Sequence, residues 1–382
     1  MASFSRRSAR WIALAVMLVA LVVLARQILP AGEPSWHSST SAKAPLRREL
    51  PVARPTPIDD QATWTPFPPG APELRVGLLL KNIYNLQLES QTFSADGWYW
   101  LEWGDDLERI RRQHDLKPEQ LVEFENQVET WNSWIELETA DGQQRADGSH
   151  YELFRFSARF YIDAIDERHS PFETVVLPVV IETRPEPLSL GREAVRLRLA
   201  NELGPLTGDY GELAGYSLQR NWIVEGQNSY ALMGSRHSEV YSQLAFRVAY
   251  GSEPWAAFMK WVLPLMIVMS IVLLAPSLES SLGEMRLAIP STALLTLVFL
   301  QQTYKAELPT TPYLTFLDEL YTYSYIVAVG LFILFLWGSN RMESSPPERR
   351  LAVQRSINRI DALCQRGALL GFALVAGLAW FL

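Results

Sequence analysis

GEMRLAIPSTALLTLVFLQQTYKAELPTTPY, running from Gly283 to Tyr313, is the stretch on which the reading of this chain turns. It opens with an acid, continues through a helix-length run of Ala, Leu, Ser and Thr, and closes on the polar turn Glu307-Leu308-Pro309. Side chains spaced at about 100° per residue place Glu284, Ala288, Thr292, Leu295, Phe299 and Gln302 in one narrow sector. That sector holds a carboxylate, then small and hydroxyl groups, then bulky apolar groups, then an amide. A helix facing only lipid has no use for such a stripe, whereas a helix lining a water-filled path does. Small and hydroxyl residues also serve simple packing between membrane helices, so both readings stand until the context is added.

Outward from this stretch, four apolar segments crowd the last third of the chain, centred on Val262–Ala275, Leu287–Leu300, Ser324–Trp337 and Gly367–Leu382. Flanking aromatics such as Trp255, Tyr313, Tyr321, Tyr323 and Tyr325 suit interfacial belts, and the spans are expected at about 255–275, 285–303, 315–337 and 362–382. Arg341, Arg349, Arg350, Arg355, Arg359 and Arg366 lie between the third and fourth spans, which the positive-inside rule makes cytoplasmic. Counting back puts everything before the first span outside, in a bacterial inner or plasma membrane. The N-terminus agrees. Arg6, Arg7 and Arg10 precede an apolar run from Trp11 to Ala25, so residues 1–32 read as a signal peptide or, failing that, a membrane anchor. Residues 33–72, rich in Pro, Ser, Thr and Ala, read as a flexible linker.

Residues 73–254 alternate apolar and polar side chains in short runs. Leu74–Leu80, Thr92–Trp103, Trp134–Glu138, Phe154–Ile162, Thr174–Glu182, Val195–Leu199, Tyr216–Val224 and Val240–Tyr250 read as strands. Asp141-Gly142 and Asp147-Gly148 read as turns. Only Leu107–Gln113 and Pro118–Gln127 read as helices, the second opening on a first-turn proline. The expected fold is therefore an extracellular β-sandwich of about ten strands followed by an all-α four-helix transmembrane domain in 255–382.

Composition narrows the function classes. The 382 residues carry a net charge of -8 and 13 Trp, which argues against a nucleic-acid partner. The single cysteine, Cys364, leaves no intrachain disulfide or cysteine zinc cluster and reads as an inert buried thiol. No nucleophile–base pair, metal-ligand spacing or glycine-rich phosphate loop stands in the strand region, so neither an enzyme nor a cofactor is expected.

Four patterns, in order along the chain, carry a family resemblance. Asn82-Ile83-Tyr84 is followed by Thr92-Phe93-Ser94-Ala95-Asp96 and Trp103-Gly104-Asp105. Ser170-Pro171-Phe172-Glu173-Thr174 precedes Leu177. Val262-Leu263-Pro264-Leu265 lies in the first span, and Glu307-Leu308-Pro309 with Thr311-Pro312-Tyr313 follows the second. Together, from about Val76 to Leu382, they resemble the prokaryotic pentameric ligand-gated ion channels, relatives of the Cys-loop receptors without the Cys-loop disulfide. The second pattern is similar to that family's Phe-Pro-Phe-Asp-x-Gln-x-Leu loop, and the fourth to its turn between the second and third helices. Two departures stand out. Ser252-Glu253 occupies the place of a basic residue before the first span, with Arg247 too early to replace it, and Pro290 falls inside the pore helix.

The resemblance implies a homopentamer, opened by an unknown small-molecule agonist or by protons, that passes cations across the lipid bilayer. Glu284 would select for charge at the cytoplasmic mouth, and Leu295, with Phe299 a turn outward, would gate by dewetting. Thr292 would offer hydroxyls to the ion, while Arg286 and Pro290 turn away. Coupling would run through Pro171, Phe172, Glu173, Pro264, Glu307, Leu308 and Pro309. The family's agonist site is an aromatic box beneath the last hairpin, here Asn221–Tyr241. Trp222, Tyr230 and Tyr241 from that hairpin, Trp98 or Trp100 from the second strand on the opposing face, and Trp131 and Trp134 from the fourth-strand region are the candidates for holding an amine by cation–π attraction. His150, His169 and the many carboxylates suit proton gating instead. The competing expectation is a membrane-anchored sensor or binding protein of the same architecture that does not conduct.

Overall fold

The computed structural model describes residues 65–138, 143–163, 165–184, 186–201, 204–230, 239–280 and 282–381. The N-terminal signal or anchor, most of the linker, the Asp141-Gly142 turn and the tip of the last hairpin lie outside the described residues. The chain forms two compact units: 65–166 with 174–252, and 167–173 with 253–381.

The first unit is built of strands β1 (Glu73–Gln87), β2 (Thr92–Trp103), β3 (Val122–Phe124), β4 (Gln127–Val128), β5 (Trp134–Leu137), β6 (Gln143–Gln144), β7 (His150–Tyr161), β8 (Thr174–Thr183), β9 (Arg196–Leu199), β10 (Thr207–Tyr210), β11 (Tyr216–Tyr230) and β12 (Glu239–Ser252). One sheet runs β10-β1-β2-β7-β4, with β5 and β6 also on β7 and β9 on β1; the other runs β11-β12-β8-β3. Period-two alternation explains both sheets. Leu74, Val76, Leu78 and Leu80 of β1, Val175, Leu177, Val179 and Ile181 of β8, and Leu244, Phe246, Val248 and Tyr250 of β12 are all buried in one core. Phe93, Tyr99, Phe154, Phe156 and Phe160 fill its centre, with Tyr99 stacked on Phe154 at 4.8 Å. Gly97 is fixed by crowding, because a Cβ there would stand 2.0 Å from the Leu79 carbonyl oxygen.

Helix α1 (Asp105–Gln113) overlaps the expected Leu107–Gln113 segment. The helix expected over Pro118–Gln127 does not form. Pro118–Gln120 is a single 3-10 turn, and Val122 and Phe124 then enter the core at strand spacing, opposite Thr183 and Ile181 of β8. Burial of two alternate side chains outweighs a short helical propensity. The chain is then locked by Asn126, whose side-chain amide donates to the Tyr161 and Pro178 carbonyls at 2.8 Å each.

The second unit holds α2 (Pro254–Ser277), α3 (Gly283–Lys305), α4 (Phe316–Glu343) and α5 (Arg350–Phe381), the four described helices long and apolar enough to cross a membrane. Even the shortest, at 23 residues, runs about 35 Å at 1.5 Å per residue, more than a hydrocarbon core of about 30 Å. The helices outrun the expected spans. α4 continues to Glu343 and α5 begins at Arg350, so most of the arginine-rich segment is helical. Hydropathy marks only the part of a helix at membrane depth, whereas Arg, Gln, Ala and Leu propagate the helix beyond it. Cys364, expected to be buried, is exposed on α5. In α2, Phe258–Val262 forms a π turn just before Pro264. A proline ring would clash with the carbonyl four residues back, and one extra residue in the turn makes room for it.

Candidate functional site

The candidate site is α3, whose two faces differ in burial. Glu284, Ala288, Thr292, Leu295, Phe299 and Gln302 are all exposed within this chain, Leu295 to 58% and Phe299 to 64%. They fill a sector about 80° wide at about 100° per residue. Arg286, Pro290, Ala293, Leu297 and Tyr304 are buried, in a sector about 170° away. Pro290 therefore packs on the inward face, away from the stripe. Thr296 and Thr303 turn their hydroxyls back onto the Thr292 and Phe299 carbonyls, at 3.0 and 2.9 Å. Glu284 lies in the first turn, where the aligned peptide dipoles favour a carboxylate.

The back of α3 is anchored by charge. The Arg286 guanidinium donates to Asp361 of α5 at 2.6 Å and lies 4.2 Å from the Phe335 ring of α4. Both charged side chains are almost wholly buried, at 4% and 1% exposure. A buried guanidinium is tolerated only with such a partner.

At its other end α3 is tied to α4. Lys305 donates to Asp318 at 2.6 Å, and Asp318 also accepts from the Thr315 backbone and hydroxyl in a reciprocal cap of α4. Tyr304 shares a hydrogen bond of 3.0 Å with Thr315. Of the residues chosen for coupling, Glu307 pairs with Lys260 at 2.7 Å, Leu308 is buried, and Pro309 is half-buried beside it. Pro264 follows the π turn. Pro171, Phe172 and Glu173 lie in the segment Glu167–Glu173, which belongs to the helical unit although strands β7 and β8 flank it in sequence. The Phe316 N–H donates to the Arg168 carbonyl at 2.8 Å. The Trp380 ring lies 5.5 Å from His169, 5.7 Å from Phe172 and 5.6 Å from Phe316, joining this segment to the ends of α4 and α5.

Six of the seven aromatic candidates fall into two groups on different sheets, and Trp131 lies in the 3-10 turn Thr130–Asn132. Trp98 and Trp134 share Arg155, whose guanidinium lies 5.9 and 5.4 Å from their rings, and Lys81 stands 5.2 Å from Trp98. The chain's own cations thus already occupy cation–π positions on these rings. Trp100 lies over Gly77, where a Cβ would meet its ring at 2.0 Å, and Trp131 is 86% exposed. On the second sheet, Arg220 lies 5.1 Å from the Trp222 ring, and Tyr230 and Tyr241 meet edge to face at 5.8 Å. Tyr230 and Asn228 hydrogen-bond the buried Glu182 carboxyl. Burial pushes Glu182 up to about 7 against those two hydrogen bonds, with Glu125 and Glu123 adding to the rise. An acid, two phenols and a half-buried setting make a place suited to a proton or a cation. A separate open cavity of 570 Å³ in this unit is lined by Glu73, Arg75, Glu102, Trp103 and Arg145 among others, and by none of the seven aromatic candidates.

No family model matches the chain, and no curated protein matches it. Residues rather than relatives therefore carry the functional reading.

Sequence reasoning missed Asp361, Glu182 and Glu167. Asp361 had a weak signal, as the one acid of α5, but Arg355, Arg359 and Arg366 around it hide its pairing with Arg286. Glu182 and Glu167 had none, because neither their burial nor their neighbours can be read from nearby residues.

Proposed function

We propose that the protein is a homopentameric, ligand- or proton-gated channel of the prokaryotic type, selective for cations, with α3 as the pore wall. The observation that carries this reading is the exposed stripe from Glu284 to Gln302, set opposite a buried face on the same helix. An acid, a small residue, a hydroxyl, two large apolar groups and an amide in one sector suit a ring of five better than a lipid contact. Glu284 would then form the selecting ring, and Leu295 and Phe299 the dewetting constriction. The β unit, with two sheets around one core, is compatible with an external sandwich, and α2 to α5 with a transmembrane bundle whose α4–α5 connection is cytoplasmic. The agonist side would be the Tyr230, Tyr241 and Glu182 cluster, read by protons or by a small cation.

Two measurements test the proposal. Multi-angle light scattering of the detergent-purified protein should give a mass five times that of the chain; a monomer overturns it. Planar-bilayer recordings across pH and small amines should give cation-selective unitary currents. Glu284→Ala should move the reversal potential towards zero in a salt gradient, and Leu295→Ala should raise open probability. A pentamer silent under every condition favours the non-conducting sensor.

A further inference from the structure

The Glu167 carboxyl is fully buried, and neither of its oxygens has a hydrogen-bond partner. Its own N–H donates to the Tyr313 hydroxyl at 3.3 Å, on the turn that follows α3. Glu173, six residues on in the same segment, is only 5% exposed. Lys305 is the cation that acts on Glu167, yet its ammonium is engaged by Asp318 at 2.6 Å. Among the described residues, the other titratable or charged groups next to this segment in the chain or beside the α3–α4 turn are Asp166, Arg168, His169, Tyr304, Glu307, Glu319 and Tyr321, of which Glu307 is paired with Lys260 at 2.7 Å. A buried carboxylate with no donor is among the most unfavourable groups a fold can hold, whereas the neutral acid is readily accommodated.

We propose that Glu167 is a proton-operated latch: its neutral carboxyl lets the Glu167–Glu173 segment stay seated on the α3–α4 turn, and ionisation releases the segment. Burial, then the charge of Glu173, pushes Glu167 up to about 7 against the pull of Lys305, so the latch works near neutral pH. These contacts lie within the helical unit, so the latch operates whether or not α3 lines a pore. If the chain does conduct, the latch adds a second proton-sensitive point, in a different unit from Glu182.

Hydrogen–deuterium exchange of the full chain in detergent tests the latch, followed in the peptides that carry Glu167 and Phe316. After correction for the intrinsic rate, protection of the Phe316 amide should fall by more than tenfold from about pH 5.5 to about pH 8.5. Glu167→Gln, neutral at every pH, should keep its protection throughout. Glu173→Gln removes the neighbouring charge and should shift the wild-type midpoint to lower pH, which keeps the test usable if Glu167→Gln fails to fold. Protection independent of pH in the unmodified chain overturns the proposal. So does an equal fall in Glu167→Gln, or a midpoint indifferent to Glu173→Gln.

Discussion

Removing Asp361 should expose how strongly the back of α3 depends on one acid. In Asp361→Ala the Arg286 guanidinium stays buried, at 4% exposure, but loses the oxygen now 2.6 Å away. Stranding one partner of a buried ion pair costs about 3–5 kcal/mol. The Phe335 ring, 4.2 Å from the guanidinium, is there before and after the change and so cancels from the difference. The net loss should therefore stay at about 3–5 kcal/mol. Replacing both partners, as Arg286→Met with Asp361→Leu, removes the stranded charge and should leave stability within about 1 kcal/mol of the parent or raise it. Denaturant titration of the detergent-solubilised full chain, followed by helical circular dichroism, measures Asp361→Ala and the four proteins of the cycle: the parent, Arg286→Met, Asp361→Leu and the double variant. A coupling energy near zero in this cycle, or a double variant as unstable as the two single losses combined, refutes the reasoning.

Three further outcomes are expected. Glu182→Gln should flatten the stability profile of the β unit: because the folded-state pKa is raised to about 7, the parent is penalised only as pH climbs from about 4.5 and fully above about 7, by roughly 1–3 kcal/mol. Thermal unfolding of both proteins across that range checks this, and Tyr230→Phe should shift the parent's midpoint to higher pH. Gly97→Ala should cost more than about 3 kcal/mol, because its Cβ would meet the Leu79 carbonyl at 2.0 Å, whereas Gly191→Ala, with nothing within 4 Å, should change stability by less than about 0.5 kcal/mol in the same melts. Trp380→Ala takes away a ring shared by His169, Phe172 and Phe316 and should cost about 1–3 kcal/mol, read as faster amide exchange in segment 167–173.

What could be read from the sequence was periodic or local. Alternation along Leu74–Leu80 and Thr174–Glu182 marked strands and their inner faces, and apolar length marked four helices. The spacing of Glu284, Ala288, Thr292, Leu295, Phe299 and Gln302 marked one side of α3, since angle around a helix depends only on residue number. Pro118–Gln127 was misread because a proline and a polar composition signalled a helix start, while the deciding fact, a place in the core for Val122 and Phe124 beside β8, lay some 60 residues away. The tertiary structure alone decided the rest. Arg286 meets Asp361 across 75 residues, and the Glu167 amide meets Tyr313 across 146. Neither partner leaves a trace in the other's neighbourhood. Whether a charge is neutralised, stranded or solvated depends on what packs around it, and only the folded chain supplies that surrounding.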